Sequence, residues 1–510
     1  MFILLQGVNC LQREKTLQKV LRRFLLKDNK KSQEGAFSMN WELFGIACYV
    51  LGMIAMGFYF SRRIKTDDDY FLGGRSLGPK LATFSIFATW FGAETCIGTA
   101  GTVYSSGLSS IHADPLGYTV CLLVMALFFA KVLWRRKITT IPDLFRNRYS
   151  VSAEKLAALI MIPSSIIWAG AQVRALGQII HSTTDFGPVL AVTIAASVVI
   201  IYTMSGGMLA DAYADLIQGI AIIAGLIFLV VAVIMEMGGL EAAFSSIPAE
   251  KLSLSNAETE SLSFLGKLEL WLIPILGSVI AQELVSRVAA SRSEKVAHHS
   301  ALRAAGMYFF VGCIPVVIGL LGVKYMPGLA DAETLMPVLA KEHLNYFFYV
   351  VFVGALVSAI LSTVDTTLLA SSALLSHNLV YPSFPKLSEK KKVLVARLGT
   401  LAAGIISYAI AYSSESITDL VETASSLGGP TILVLTITAL WEKRGTAFSA
   451  LFAMIASIIA WLVGHYVIES EFPVILTVLV CAVVYAITLP FTRSTILESE
   501  EKADVEIGLS

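Results

Sequence analysis

Apolar stretches of about twenty residues recur along almost the whole chain, and this repetition constrains the fold more than any other feature. A helix needs about 20 apolar residues to cross the hydrocarbon core of a bilayer. Thirteen stretches reach this length, at 41–61, 81–107, 115–134, 155–183, 186–204, 207–236, 265–290, 300–326, 346–377, 393–413, 416–442, 445–468 and 472–492. Because backbone polar groups inside a bilayer must be satisfied within the protein, the sequence predicts an all-α, polytopic membrane protein with about 13 transmembrane helices.

Charge is balanced over the whole chain but uneven along it. The 38 Lys and Arg residues match 38 Asp and Glu residues, so no global field indicates nucleic acid as a partner. Basic residues cluster in loops on one predicted side, at 62–80, 135–148 and 386–392, whereas the opposite loops hold little beyond Lys251, Lys267, Lys324 and Lys341. The positive-inside rule makes this side cytoplasmic. We therefore expect a multi-pass protein of the cell (cytoplasmic) membrane, with the N-terminus outside and the acidic tail 493–510 inside.

Residues 1–38 disagree with that orientation, because their block of lysines and arginines would lie outside the cell. The segment lacks the order of basic region, apolar core and small-residue cleavage site that marks a signal peptide. We expect that translation starts at Met39, directly before the first span. The alternative is an amphipathic extension that lies on the membrane surface.

Two of the predicted spans are interrupted near their middles. The second reads ATWFGAETCIGTAG around Gly92 and Glu94, and the seventh reads IPILGSVIAQELVSR around Gly277 and Gln282. Backbone that leaves the helix at membrane depth must line a protein-walled cavity, where its carbonyl oxygens can bind an ion. Two such spans in corresponding positions point to the binding site of an inverted-repeat transporter. The alternative is that these glycines only allow close helix packing.

The interrupted spans also divide the chain into segments. They lie five spans apart, which predicts a first inverted repeat at 81–236 and a second at 265–442. The stretch 41–61 is then an extra helix before the repeats, and 445–492 forms two peripheral helices.

Short polar side chains crowd the ninth span, among them Ser362, Thr363, Asp365 and Thr366. Hydroxyl and carbonyl oxygens with at most one carboxylate suit a monovalent cation, whereas several carboxylates would suit Ca²⁺. Sodium is therefore the expected ion. Serines such as Ser371 more often hydrogen-bond to their own helix.

The sixth span carries two carboxylates near its cytoplasmic end. Asp211 and Asp215 lie one turn apart on one face, with no basic residue between Arg174 and Lys251 to pair with them locally. An acidic mouth attracts a cation on its way in or out. The alternative, a solvated helix start favoured by the helix dipole, suits Asp211 better than the deeper Asp215.

Several of these segments follow one another in a familiar order: DYFLGGRSLGP, ATWFGAETCIGTAG, SGGMLADAYADLIQ, ELVSRVAASRSEKVA and SAILSTVDTTLLASS. In succession and spacing they resemble the sodium solute symporter family over most of residues 41–442. Within that family, ADPLGYTVCLLVMALFFAK and STVDTTLLASSALLSHNLVY most resemble the branch that contains choline transporters. The resemblance implies a LeuT-type fold, which is a five-plus-five inverted repeat preceded by one helix.

The resemblance also implies a sodium site made of oxygen atoms from two helices. These atoms are the carbonyl oxygens of Ala88, Phe91 and Ala359 and the hydroxyls of Ser362 and Thr363. The family's acidic residue in the fifth core helix falls on Asp215, where it would assist sodium passage. Arg287 falls on the family's arginine at the cytoplasmic end of the sixth core helix, as a topological or gating anchor.

The candidate substrate-binding residues lie near the interrupted spans. They are Trp90, Glu94, Thr95, Trp168 and Gln282. Trp90 and Trp168 match two members of the aromatic box with which choline-type relatives hold a quaternary ammonium, but the third position is Ala281 and Glu94 replaces a glycine. Thr95 stands where sugar-transporting relatives have glutamine. Apolar packing is the alternative for both tryptophans, and Glu94 would meet an amine or hydroxyl of the solute or bind a proton.

Together these features predict a secondary active transporter that takes up a small polar or zwitterionic organic solute with sodium by alternating access. Proton coupling and a membrane sensor of the same fold are the alternatives, although such a sensor usually carries a large cytoplasmic signalling domain. An enzyme is not expected, because the cysteines have no metal-binding spacing and His298 with His299 has no second ligand cluster nearby. A channel is disfavoured because no selectivity-filter motif repeats. The oligomeric state is not indicated.

Overall fold

The computed structural model describes residues 51–491, apart from 53–54, 185, 415 and 443. Over this part the chain is helical, with an isolated β-bridge between Leu77 and Ser291. The predicted all-α class is therefore confirmed for the described residues. Most of the predicted first span, the segment 1–38 with Met39, and the tail 493–510 lie outside them.

The principal helices begin after polar caps and end where the backbone leaves helical geometry. Ser150, Ser293 and Asn345 each accept the backbone N–H of the residue three positions on, which satisfies a donor that the helix itself leaves free. In chain order the helices are α1 (Asp67–Leu72), α2 (Pro79–Trp90), α3 (Thr99–Ser106), α4 (His112–Arg136), α5 (Ile141–Arg148), α6 (Val151–Thr183), α7 (Pro188–Glu236), α8 (Phe264–Ser278), α9 (Gln282–Ala290), α10 (Glu294–Tyr325), α11 (Leu335–His343), α12 (Tyr346–Ser383), α13 (Glu389–Ser413), α14 (Ile417–Trp441), α15 (Ala447–Tyr466) and α16 (Pro473–Thr488).

Within the described part, eight helices are long and apolar enough to cross a membrane, and the bent pair α8–α9 would make a ninth. The difference from the predicted thirteen has physical causes. The 49-residue α7 contains two predicted spans, joined by a kink at Gly207 with φ 60°, a value that glycine adopts without strain. The predicted second span is divided between α2 and α3, and α16 has 16 residues. The number thirteen stays a prediction.

Both predicted interruptions are confirmed. Helix α2 ends at Trp90, Phe91 has non-helical angles of φ −89° and ψ 64°, and the chain resumes as a π-helix over Glu94–Gly98 before α3. Helices α8 and α9 are bent by 45° relative to each other across residues 279–281. At this second break Gly277 approaches α14 so closely that an added Cβ would come 2.1 Å from the carbonyl oxygen of Ser425.

Helix α12 lies at the centre of the bundle. It packs against α6, α7 and α13, and its residues from Ala355 to Ala373 are all buried. Outer helices instead expose large apolar side chains, such as Ile405 on α13 and Val483 on α16, as expected for surfaces that face lipid. The buried polar side chains of α12 must therefore find partners on neighbouring helices.

Candidate functional site

The end of α2 meets the polar face of α12. The hydroxyl oxygen of Thr363 lies 3.1 Å from the carbonyl oxygen of Ala88 and 3.3 Å from that of Ala359. Because α2 ends at Trp90, the carbonyls of its last turn lack helical partners and can take an ion or a side-chain donor. Three residues of the predicted sodium site are thus brought together.

Ser362, a fourth predicted ligand, lies beside Asp215. Its hydroxyl donates to one carboxylate oxygen of Asp215, and the hydroxyl of Ser85 on α2 donates to the other at 2.5 Å. Asp215 therefore connects α7 to both helices of the predicted sodium site. Phe91, the fifth, supplies the non-helical backbone of the break, and its ring stacks on Phe87 with the centroids 5.0 Å apart.

Gly92 allows the break in α2 to lie close to α6 and α12. A Cβ added to Gly92 would come 2.8 Å from the hydroxyl oxygen of Thr363 and 2.8 Å from the amide oxygen of Gln172 on α6. Neither contact is compatible with a side chain at this position unless a neighbour moves. The break in α2 is therefore packed directly against α6 and α12.

A buried arginine lies on the basic-loop side of this site. The guanidinium of Arg287 on α9 donates to Asp211 and to Thr366, and its nearest nitrogen lies 3.9 Å from Asp215. Asp365, which is also buried, lines a small cavity together with Asp211. Arg287 thus ties α9 to α7 and α12, and the anchor role that the family resemblance implies for it stays a prediction.

Glu94 lies at the start of the π-helix and faces α6. One of its carboxylate oxygens accepts the indole N–H of Trp168 at 3.2 Å, and the other accepts the amide N–H of Gln172 at 2.7 Å. The amide oxygen of Gln172 in turn accepts the backbone N–H of Ala93 at 2.9 Å. The carboxyl group is thus held and oriented by neutral donors, with no basic side chain among these partners.

The remaining predicted substrate residues surround Glu94. The rings of Trp90 and Trp168 meet edge to face with centroids 5.2 Å apart. The hydroxyl of Thr95 lies 2.7 Å from the hydroxyl of Tyr308 and 3.3 Å from a carboxylate oxygen of Asp114. Trp90, Glu94, Thr95 and Trp168 therefore form one contiguous cluster.

Gln282 is set apart from that cluster. Its amide oxygen accepts the N–H of Ile141 at 3.0 Å, and its amide nitrogen donates to the carbonyl of Thr139 and to Ser286. The residue nevertheless lines the same cavity as Trp168 and Ala281. Its polar atoms hold the start of α9 to the loop before α5.

Sequence reasoning missed several partners of the site. Gln172, Tyr308 and Ser85 hydrogen-bond to the predicted residues but belong to no recognisable motif. Asp114 bonds to Thr95 and lies within ADPLGYTVCLLVMALFFAK, but sequence reasoning assigned it no role. For Gln172 a signal existed, because it is a polar residue within an otherwise apolar span.

The model of the sodium:solute symporter family matches residues 70–457. This match covers well over half of the chain. The chain belongs to the sodium:solute symporter family. Its members are transporters, so this symporter is a multi-pass membrane protein with Na⁺ as coupling ion, and it is not an enzyme.

Individual relatives agree with this family. The high affinity choline transporter 1 of Homo sapiens is 25% identical over 445 residues, which cover 83% of this symporter and 76% of the relative. The sodium/proline symporter of Staphylococcus aureus (strain JH9) is 27% identical over 450 residues, covering 83% and 86%.

Solved structures show the fold. A Na⁺-coupled sialic acid symporter in a substrate-bound, outward-open state matches with a TM-score of 0.78 at 21% identity, over 90% of this symporter and 99% of that chain. A transporter of the nucleobase-cation-symport-1 family matches with a TM-score of 0.57 at 15% identity, over 83% and 95%. These neighbours have the LeuT-type fold that the family resemblance implies.

Proposed function

We propose that this symporter carries a small polar or zwitterionic organic solute into the cell together with sodium, by alternating access. The contact that supports this most directly is the 3.1 Å approach of the Thr363 hydroxyl to the Ala88 carbonyl oxygen. It brings a freed backbone oxygen of an interrupted helix to a hydroxyl of the central helix, which is the donor set that a monovalent cation needs.

In this proposal sodium is bound by the carbonyl oxygens of Ala88, Phe91 and Ala359 and the hydroxyls of Ser362 and Thr363. Asp215 lies beside Ser362, close enough to attract the ion and to receive it as it leaves. Sodium between α2 and α12 stabilises the outward-open form, and the solute is then enclosed near Trp90, Glu94, Thr95, Trp168 and Gln282. Each sodium that moves inward gains about 2.3 kcal/mol per 100 mV of membrane potential.

The proposed orientation places the basic loops and the C-terminus in the cytoplasm and the start of the first helix outside. Segments 81–236 and 265–442 act as the two repeats, and one bundle rocks against the rest around the fixed site. The extra helix 41–61 and the peripheral segment 445–492 lie outside these repeats.

Transport by the purified protein in proteoliposomes tests the proposal. Labelled amino acids, betaines, organic acids and sugars are offered with an inward sodium gradient, an equal potassium gradient or a proton gradient. We expect uptake of one class with sodium only. Uptake with the proton gradient alone would indicate proton coupling, and saturable solute binding without uptake would indicate a sensor.

Variants of α12 locate the sodium site. Ser362→Ala and Thr363→Ala each remove one proposed ligand, so both should weaken binding of radioactive sodium to the purified protein. Ser371→Ala is the matched control, since this hydroxyl donates to the carbonyl of Thr367 in its own helix at 2.8 Å. Equal sodium affinity in all three variants would remove this site from the proposal.

A further inference from the structure

Glu283 is a buried carboxylate at the second helix break that the proposed sodium site does not use. It is the second residue of α9 and is 1% exposed. Its side chain lines the cavity between α6, α8 and α14, together with Trp168 and Ala281. Among the described residues, its Oε1 atom has no hydrogen-bond partner, while the hydroxyl of Ser165, also on the cavity wall, interacts with the carboxyl group. A buried carboxylate oxygen left in this state is costly unless something in the cavity pairs with it.

The cavity offers no positive charge of its own. Its lining residues in the described part of the chain include Glu283 but no lysine, arginine or histidine. Arg287, one turn further along α9, is engaged by Asp211 and Thr366. Glu94 adds a second carboxylate nearby, because it is bonded to the indole of the cavity residue Trp168. The wall is therefore acidic, so an anionic solute would be repelled and a cationic one attracted.

We propose that the transported solute carries a protonated amine or guanidinium group and that Glu283 binds it through its free carboxylate oxygen. This inference rests on the proposed function and names the substrate class of that site. A quaternary ammonium has no N–H group and cannot satisfy the Oε1 atom, whereas a protonated amine donates a charge-assisted hydrogen bond to it. Ala281 also leaves this wall of the cavity without a third aromatic ring, which disfavours a box for a methylated ammonium.

The rest of the cavity suits a polar end of such a solute. The hydroxyls of Ser278 and Ser425 lie 3.4 Å apart on the cavity wall. Each can donate to a carboxylate of the solute, and can donate to or accept from a hydroxyl of the solute. Trp168 provides an aromatic surface next to the cation. A short amino alcohol or amino acid would fit these features.

Binding of labelled ethanolamine to the purified full-length protein tests the inference, with sodium present and choline, ethylene glycol and glycolate as competitors. Ethanolamine and choline differ only in methylation of the nitrogen. We expect ethanolamine to bind at least about tenfold more tightly than choline, and the neutral and anionic compounds to compete weakly. Glu283→Gln should weaken ethanolamine binding about tenfold. Glu250→Gln, which alters an exposed carboxylate, is the control and should bind ethanolamine as the unaltered protein does.

Binding of radioactive sodium in the absence of solute separates this inference from the proposed function. Glu283→Gln should keep saturable sodium binding, which also shows that the variant is folded. Saturable sodium binding with no ethanolamine binding would overturn the amine inference alone, as would equal ethanolamine affinity in Glu283→Gln or equal binding of choline. Absence of sodium binding in the unaltered protein would instead contradict the proposed sodium symport.

Discussion

Glu94 shows how a single carboxyl group is accommodated at membrane depth. Both of its oxygens accept N–H groups from neutral side chains, Trp168 and Gln172. A glutamine in this place has one acceptor oxygen, so one of these donors would face an amide N–H instead. We expect Glu94→Gln to weaken solute binding about tenfold and to lower stability only slightly, because a single hydrogen bond typically contributes about 1 kcal/mol net.

Uptake kinetics of the solute found in the proteoliposome screen provide the measurement, with the melting temperature of the same preparation as the folding control. Unchanged kinetics in Glu94→Gln would exclude this carboxylate from the transport cycle and leave it a structural role in holding α6 to the break.

Arg287 balances the negative charge of neighbouring carboxylates. It is 1% exposed and bonds to Asp211 and Thr366, with Asp215 close by. Removing one member of a buried ion pair leaves the other charge uncompensated and costs about 3 to 5 kcal/mol. We expect Arg287→Ala to lower the melting temperature of the purified protein strongly. Adding Asp211→Asn to that variant should restore part of the lost melting temperature. If the two substitutions lowered the melting temperature additively, the two residues would act independently.

At the scale of elements, the interrupted α2 depends on the absence of a side chain at position 92. A Cβ there would come within 2.8 Å of Thr363 and Gln172, so Gly92→Ala must displace these side chains or push α2 away from α12 and α6. We expect sodium binding to fall sharply in this variant while the protein still folds. Gly98→Ala is a matched control six residues later, because its nearest neighbouring atom would lie at 3.6 Å, an ordinary contact.

The two variants are compared by binding of radioactive sodium at equal protein concentration. If Gly92→Ala bound sodium as well as Gly98→Ala did, the close packing of the break would have no part in holding the ion.

The same elements show how far sequence reasoning reaches. The breaks could be predicted because glycine, proline and charged residues in an apolar span have few stable alternatives to a protein-lined cavity. The proximity of Thr363 to Ala88 followed from the family resemblance. The pairing of Glu94 with Gln172 and Trp168 could not be predicted, because it depends on where α6 crosses the break and no sequence spacing encodes that crossing. The kinked helix α7 was predicted as two spans for a related reason, since SGG signals a break in the chain but not its geometry.

On the scale of the whole molecule, the two ends of the bundle differ. At the end of the basic loops, Gln282 links the start of α9 to Thr139, and the cavity with Ala281 lies next to this contact. At the other end, the turn around residues 331–334 joins neighbouring helices. Asp331 accepts the amide N–H of Gln178 at 2.9 Å, and Glu333 accepts the backbone N–H of Ile417 at 3.0 Å. The cavity thus lies nearer to the proposed cytoplasmic side, while polar contacts tie the opposite end together.

Alternating access makes a measurable prediction from this asymmetry. If sodium between α2 and α12 favours the outward-open form, it must reduce access to the cavity from the basic-loop side. We expect sodium, in place of potassium, to slow labelling of Ala281→Cys in inside-out vesicles by a membrane-impermeant maleimide at least about fivefold, the lower range of typical coupling energies. Lys386→Cys, in the exposed basic loop on the same side, should react equally fast in both salts. Equal rates for Ala281→Cys in both salts would mean that sodium does not shift the equilibrium between the outward-open and inward-open forms. A ligand shifts such an equilibrium only by its difference in affinity for the two states.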